Sequence, residues 1–160
     1  GRIIFSGIAG NMSHEIGIGD VVIGSEVVYH DAEDGMIAQS APFTSIYCGD
    51  TTLIDAAMEA CSALNVTYLV GRIATGDKFV GDSETKNLIA AMVEPDCVEM
   101  EGAAVSQIAA KNNVPCVILR AMSDNADEDG REVLVVKKFS ITEYVKTATQ
   151  IVTEMLSRLD

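Results

Sequence analysis

Five short apolar runs, at residues 3–5, 21–28, 66–74, 97–100 and 116–122, alternate along this chain with segments whose apolar residues recur at helical spacing. Strands separated by helix-length segments need crossover connections, and those generate a largely parallel sheet with helices on its faces. The pattern predicts an α/β fold, a three-layer α/β/α sandwich around a mixed, largely parallel central sheet. The strongest helical signal is C-terminal, where Ile141, Tyr144, Val145, Ala148, Ile151, Val152, Met155 and Leu159 form one stripe while Lys146, Glu154 and Arg158 lie off it. A second helix starts after Asp50, a good N-cap, and places Leu53, Ala57, Ala60, Cys61 and Leu64 on one face. Two more are predicted at 84–92 and 101–111.

With 160 residues, 48% of them hydrophobic, the chain suits a single domain (1–160) with one substantial core. The 24 acidic against 11 basic side chains leave a formal charge of −13, a surface that repels nucleic acid and anionic lipid. The sequence contains neither an apolar run long enough to span a bilayer nor a secretory signal pattern, so a cytoplasmic location is the expectation. Cys48, Cys61, Cys97 and Cys116 lack metal-ligand spacing and read as small buried hydrophobes. The opening GRIIFSGIAG is a strand that would ordinarily lie inside a sheet, and nothing in the chain precedes it to cover one side. An N-terminal part is therefore expected to be missing, leaving an edge for a partner to cover.

Chemistry concentrates where apolar runs end in acids. In VILRAMSD, residues 117–124, a buried strand stops at Ser123 and Asp124, and a carboxylate at a strand's carboxyl end faces the crevice in which α/β proteins hold ligands. Capping of a following helix is the alternative role for either residue. In CVEMEGAA, residues 97–104, Glu99, Met100 and Glu101 sit where a strand passes into a helix, whose first turn favours negative charge. If the backbone stays extended the two glutamates share a face; a bend would part them. Glu99 could instead pair with a buried arginine such as Arg120, leaving Glu101 to complement the helix dipole.

Two further segments complete the set. FSGIAG, residues 5–10, reads as a glycine turn after a strand, with Gly7 and Gly10 allowing close backbone approach to a ligand. It lacks the full dinucleotide fingerprint, which argues against NAD. In TGDKFVGDSETK, residues 75–86, Phe79 stands between Gly76 and Gly81 in a polar loop, where an aromatic ring suits stacking on a flat ligand such as a nucleobase.

The order FSGIAG, GDVVIGSEVVYHD, TGDKFV, VEMEGAA and RAMSDNAD resembles the nucleoside phosphorylase and nucleosidase superfamily, and within it the 5′-methylthioadenosine/S-adenosylhomocysteine nucleosidases. The resemblance implies a nucleoside phosphorylase-like fold with its N-terminal strands missing. It implies hydrolysis of the N-glycosidic bond with release of adenine, no metal or organic cofactor, and a homodimer. In that reading Asp124 protonates the purine N7 as general acid, oriented by Ser123. Glu101 accepts hydrogen bonds from the ribose hydroxyls and stabilises the cationic sugar that develops, with Met100 against the sugar. Phe79 stacks on the base, Val80 reads its polar edge through main-chain groups, and Ile8, Ala9 and Gly10 close the purine side. Ile141 takes the position of a pocket phenylalanine.

At the glycine turn the superfamily's phosphorylases carry a phosphate-binding arginine and serine; here Phe5 and Ile8 stand, which favours water as nucleophile. The family's water-positioning glutamate belongs to a segment upstream of Gly1 and has no match. The stretch 31–44 is shorter than usual, leaving Met36, Ile37 or Phe43 to replace an aromatic that a neighbouring subunit donates. A purine nucleoside phosphorylase and a non-catalytic nucleoside-binding protein are the competing readings.

Overall fold

The computed structural model describes residues 1–127 and 140–159. The chain runs β1 (Ile3–Asn11), β2 (Val21–Tyr29), α1 (Asp34–Ile37), β3 (Ile46–Cys48), α2 (Thr51–Ala63), β4 (Tyr68–Thr75), α3 (Ser83–Val93), β5 (Cys97–Glu99), α4 (Gly102–Lys111), β6 (Cys116–Asp124) and α5 (Ile141–Arg158). The strands form one mixed sheet in the order β3-β2-β4-β5-β1-β6. Its two long ladders, β1 with β6 and β2 with β4, are parallel, as the alternating pattern predicts. An antiparallel pairing of Val21–Ile23 in β2 with Leu119–Ala121 in β6 curls the sheet back on itself, so that β1, β6, β2, β4 and β5 close a ring. No periodicity in the sequence announces that closure.

Alternate residues of β6 enter different cores because successive side chains leave opposite faces of a strand. Val117, Leu119 and Ala121 pack with Leu53, Ala57, Ala60 and Cys61 of α2 and with Ile151 and Met155 of α5. Cys116, Ile118 and Met122 pack on the other side with Ala103 and Ala109 of α4. Burial on both faces explains why the run is apolar at every position from Cys116 to Met122 except Arg120, and every residue of β6 is buried. Helix α2 begins where expected: the Asp50 side chain accepts a hydrogen bond from the Leu53 N–H at 3.0 Å, satisfying one orphan amide.

Three expectations need correction. The predicted glycine turn is strand: β1 runs unbroken to Asn11, with a bulge at Ala9/Gly10. Along β1 the ladder to β6 spans Ile3 to Gly10, while β5 pairs only with Gly10 and Asn11. The α5 stripe is buried at Ile151 and Met155 but exposed at Ile141 and Val145. Its first turns lie over a cavity of about 440 Å³ lined by Ser6, Leu119, Tyr144 and Thr147, so among the described residues no packed surface covers the whole stripe. Cys48 is exposed, because β3 is a three-residue strand that buries only its middle residue, Tyr47. Two elements, β3 and α1, have no counterpart in the sequence pattern, because three and four residues are too few to leave a periodic signal. Among the described residues no helix is long and apolar enough to cross a membrane.

Candidate active site

A cavity of about 420 Å³ opens beside β1, and the ends of β5 and β6 and the loop after β4 complete its walls. Asp124, Ser123, Glu99, Met100, Glu101, Phe79, Val80, Ile8, Ala9 and Gly10 all line it. Ile141 does not: at the first turn of α5 it is 64% exposed and outside this cavity.

The geometry differs from a single rim of strand ends. Strand β5 runs antiparallel to β1, whereas β6 runs parallel to it. The ends of β5 and β6 therefore arrive from opposite directions and overlap across β1. Register puts Gly7 opposite Arg120 and Gly10 opposite Asp124. Those two charged residues are four positions apart on β6, about 13 Å at 3.3 Å per residue, which gives the site an acid end and an ion-pair end.

At the acid end Asp124 is 2% exposed. Its Oδ2 accepts a hydrogen bond from the Ser123 hydroxyl at 2.7 Å and its Oδ1 accepts one from the Ala126 N–H at 2.8 Å. Each oxygen is thus held by one donor, and the carboxyl has a single orientation. The register shift at Ala9/Gly10 makes Ser123 an extra residue on β6, a bulge of the kind that re-aims the side chain after it. Gly10 supplies clearance: a Cβ there would lie 3.1 Å from Asp124 Oδ1 and 2.9 Å from the Ala126 Cβ. The loop that carries Phe79 is tied down by the Gly76 N–H to the Glu99 carbonyl at 3.1 Å and by the Asp77 N–H to Asp31 Oδ2 at 2.7 Å. Phe79 itself remains 39% exposed, a ring open to the cavity, while Val80 behind it is buried.

At the other end β5 stops at Glu99 and the chain bends through Met100 and Glu101 before α4. The bend parts the two glutamates. The Glu99 side chain is 1% exposed and pairs with Arg120, itself 2% exposed; the Glu101 side chain is 60% exposed and lies 3.5 Å from Arg120 Nη2. Arg120 rests over the Phe5 ring, 4.6 Å from its centroid. Sequence reasoning named Arg120 as the alternative, buried partner of Glu99, and that pairing is what the structure has; it passed over Thr75, whose hydroxyl donates to Glu99 Oε1 and accepts from the Ala103 N–H. The signal for Arg120 was present: a lone cation inside an apolar strand must find a buried partner.

A buried, oriented acid, an open aromatic ring and a carboxylate beside a buried ion pair, set around one cavity of an α/β domain, have the size and lining of a small-molecule site. The chain belongs to the phosphorylase superfamily, whose family model matches residues 1–157. It is 39% identical over 133 residues to the 5′-methylthioadenosine/S-adenosylhomocysteine nucleosidase of Shewanella sediminis, an alignment covering 79% of this chain and 58% of that protein. It is 34% identical over 135 residues to the aminodeoxyfutalosine nucleosidase of Helicobacter pylori, covering 80% of this chain and 57% of that one. The chain thus spans less than two thirds of the length of these relatives. Among solved structures, the S-adenosylhomocysteine nucleosidase of Streptococcus pyogenes in complex with 5-methylthiotubericidin superposes with a TM-score of 0.87 at 32% identity, covering 99% of this chain and 68% of that one.

Proposed function

We propose that this chain carries the base-binding, sugar-binding and proton-donating residues of a purine nucleosidase that hydrolyses the N-glycosidic bond of 5′-methylthioadenosine and S-adenosylhomocysteine. The observation that carries the reading is Asp124, buried at a strand end and held by two donors, in one cavity with Phe79 and Glu101. A protonated carboxyl there hands its proton to N7 of the purine, so that the C–N electron pair leaves with a neutral adenine. Phe79 stacks on the base, and Val80 offers main-chain groups to its edge. Glu101 accepts from the ribose hydroxyls, and its negative charge favours the oxocarbenium-like sugar as the bond breaks. Met100, 42% exposed between the two glutamates, packs against the sugar.

Water is the nucleophile in this reading. The Arg120 guanidinium is already engaged by Glu99 and lies near Glu101, so a phosphate dianion arriving there would meet two carboxylates. The Shewanella sediminis relative is named for two different 5′-substituted adenosines, which supports a 6-aminopurine as the common element. A homodimer belongs to the same reading: Met36 and Phe43, 68% and 71% exposed, are free to reach a neighbouring subunit.

The test is release of free adenine from 5′-methylthioadenosine by the full-length protein, followed by ultraviolet absorbance with and without phosphate. Phosphate-independent release supports the reading. Release that requires phosphate makes the protein a phosphorylase, and tight binding without release makes it a nucleoside-binding protein.

A further inference from the structure

We propose that Glu99 is a positioning residue for Glu101, acting through Arg120 and through the first turn of α4, and that its carboxylate makes no contact with the ligand. The inference rests on the reading of the cavity as a nucleoside site.

Glu99 has no acceptor capacity to spare. Its Oε1 accepts from the Thr75 hydroxyl and from the Gly102 N–H at 2.9 Å. Its Oε2 accepts from the Gly102 N–H at 2.7 Å, the Glu101 N–H at 3.3 Å, the Arg120 Nε at 2.9 Å and the Arg120 Nη2. Five donor groups therefore converge on one buried carboxylate, which is enough to satisfy it without a ligand hydroxyl.

Two consequences follow for Glu101. Residue 101 is the N-cap of α4, yet its own side chain makes no capping bond. Glu99 does that work, taking the Gly102 amide and placing its charge at the positive end of the helix. The Glu101 carboxylate is thereby released from local duty and projects to the cavity. Charge balance supplies the second consequence. Arg120 is neutralised by Glu99 and contacts Glu101 only at 3.5 Å, through Nη2. Deprived of Glu99, the guanidinium has Glu101 as the one other carboxylate within ion-pair distance among the described residues, and closing that gap turns Glu101 away from the sugar. Thr75 joins both halves of the device, donating to Glu99 and accepting from the Ala103 N–H of α4 at 2.8 Å.

The prediction is a split between sugar and base. Binding to the full-length protein is measured by titration calorimetry with adenine and with 5′-methylthiotubercidin, whose N7 is replaced by carbon and whose glycosidic bond therefore resists acid-assisted cleavage. Glu99→Gln is expected to weaken the nucleoside by about tenfold or more while adenine affinity stays within about twofold. Equal weakening of both ligands, or no change in either, overturns the positioning role. Failure of the parent protein to bind either ligand overturns the reading of the cavity, and this inference with it. Should Glu99→Gln not fold, Thr75→Val and Thr75→Ser decide the matter. Valine should reproduce the selective loss and serine, which keeps the hydroxyl, should restore it; identical behaviour of the two refutes the proposal.

Discussion

Replacing Gly7 by alanine is the most direct probe of how this site is built, because a single methyl group acts on the buried ion pair while both charged residues stay in the chain. A Cβ at position 7 would lie 2.8 Å from Arg120 Cζ and overlap Nη1. The β1 backbone cannot retreat, since its ladder to β6 extends from Ile3 to Gly10 on both sides of this point. The guanidinium must move instead, off the Phe5 ring and away from Glu99. Separating a buried charged pair costs about 3–5 kcal/mol, because the carboxylate left behind is desolvated and unpaired. Arg120 stays in the chain and recovers part of this through other partners, so about 3 kcal/mol is the working figure. For a domain of this size 1 kcal/mol moves the melting temperature by about 2–4 °C, which gives a drop of about 6–12 °C. Differential scanning calorimetry on Gly7→Ala measures it, with Gly35→Ala as control, since a Cβ at Gly35 meets nothing within 4 Å. A change below about 2 °C for Gly7→Ala would show that the pair tolerates displacement and would refute the reasoning.

Asp124→Asn should retain the fold and lower the turnover of 5′-methylthioadenosine by about 10²-fold or more, the usual cost of losing a general acid, and unchanged turnover would remove that role. Glu101→Gln should impair hydrolysis while leaving the dissociation constant for free adenine nearly as it was, because the carboxylate addresses the sugar. A thiol-reactive dye should titrate Cys48 rapidly in the native protein and reach Cys61, Cys97 and Cys116 only on denaturation, since those three are buried and burial pushes their thiols up, Cys61 to about 11. The same shift makes a pH prediction. The folded state keeps the Cys61 proton that the unfolded chain begins to lose near its ordinary value of 9.0, so this contribution to stability is complete below pH 9 and is lost as pH rises towards about 11. Melting curves across that window should fall less steeply for Cys61→Ala than for the parent.

The local signals in this chain were strong where one element alone decides the outcome. The Asp50 cap and the face of α2 follow from residue type and spacing, and β6 declares itself by an apolar run that only burial on both faces permits. FSGIAG misled for an instructive reason. Glycine is the usual residue of turns, but Gly7 and Gly10 lie in a strand, where their missing side chains make room for Arg120 and for Asp124. Clearance for a neighbour on another strand leaves the same mark in a sequence as a turn does. The α5 stripe overstated burial because amphipathic spacing records which face is apolar, and the extent to which that face is covered depends on what lies beneath it.

The sequence by itself determined the α/β class, the positions of most strands and helices, and the presence of acids at the strand ends, since these depend on periodicity and on the functional groups present. Which carboxylate is left open to the cavity was decided only by the tertiary structure. Glu99 and Glu101 are two positions apart and chemically equal; a bend after β5 and a guanidinium delivered by β6, 21 residues further on than Glu99, bury one and free the other. Interactions between distant strands depend on register and closure, and those are fixed by the packing of the whole sheet.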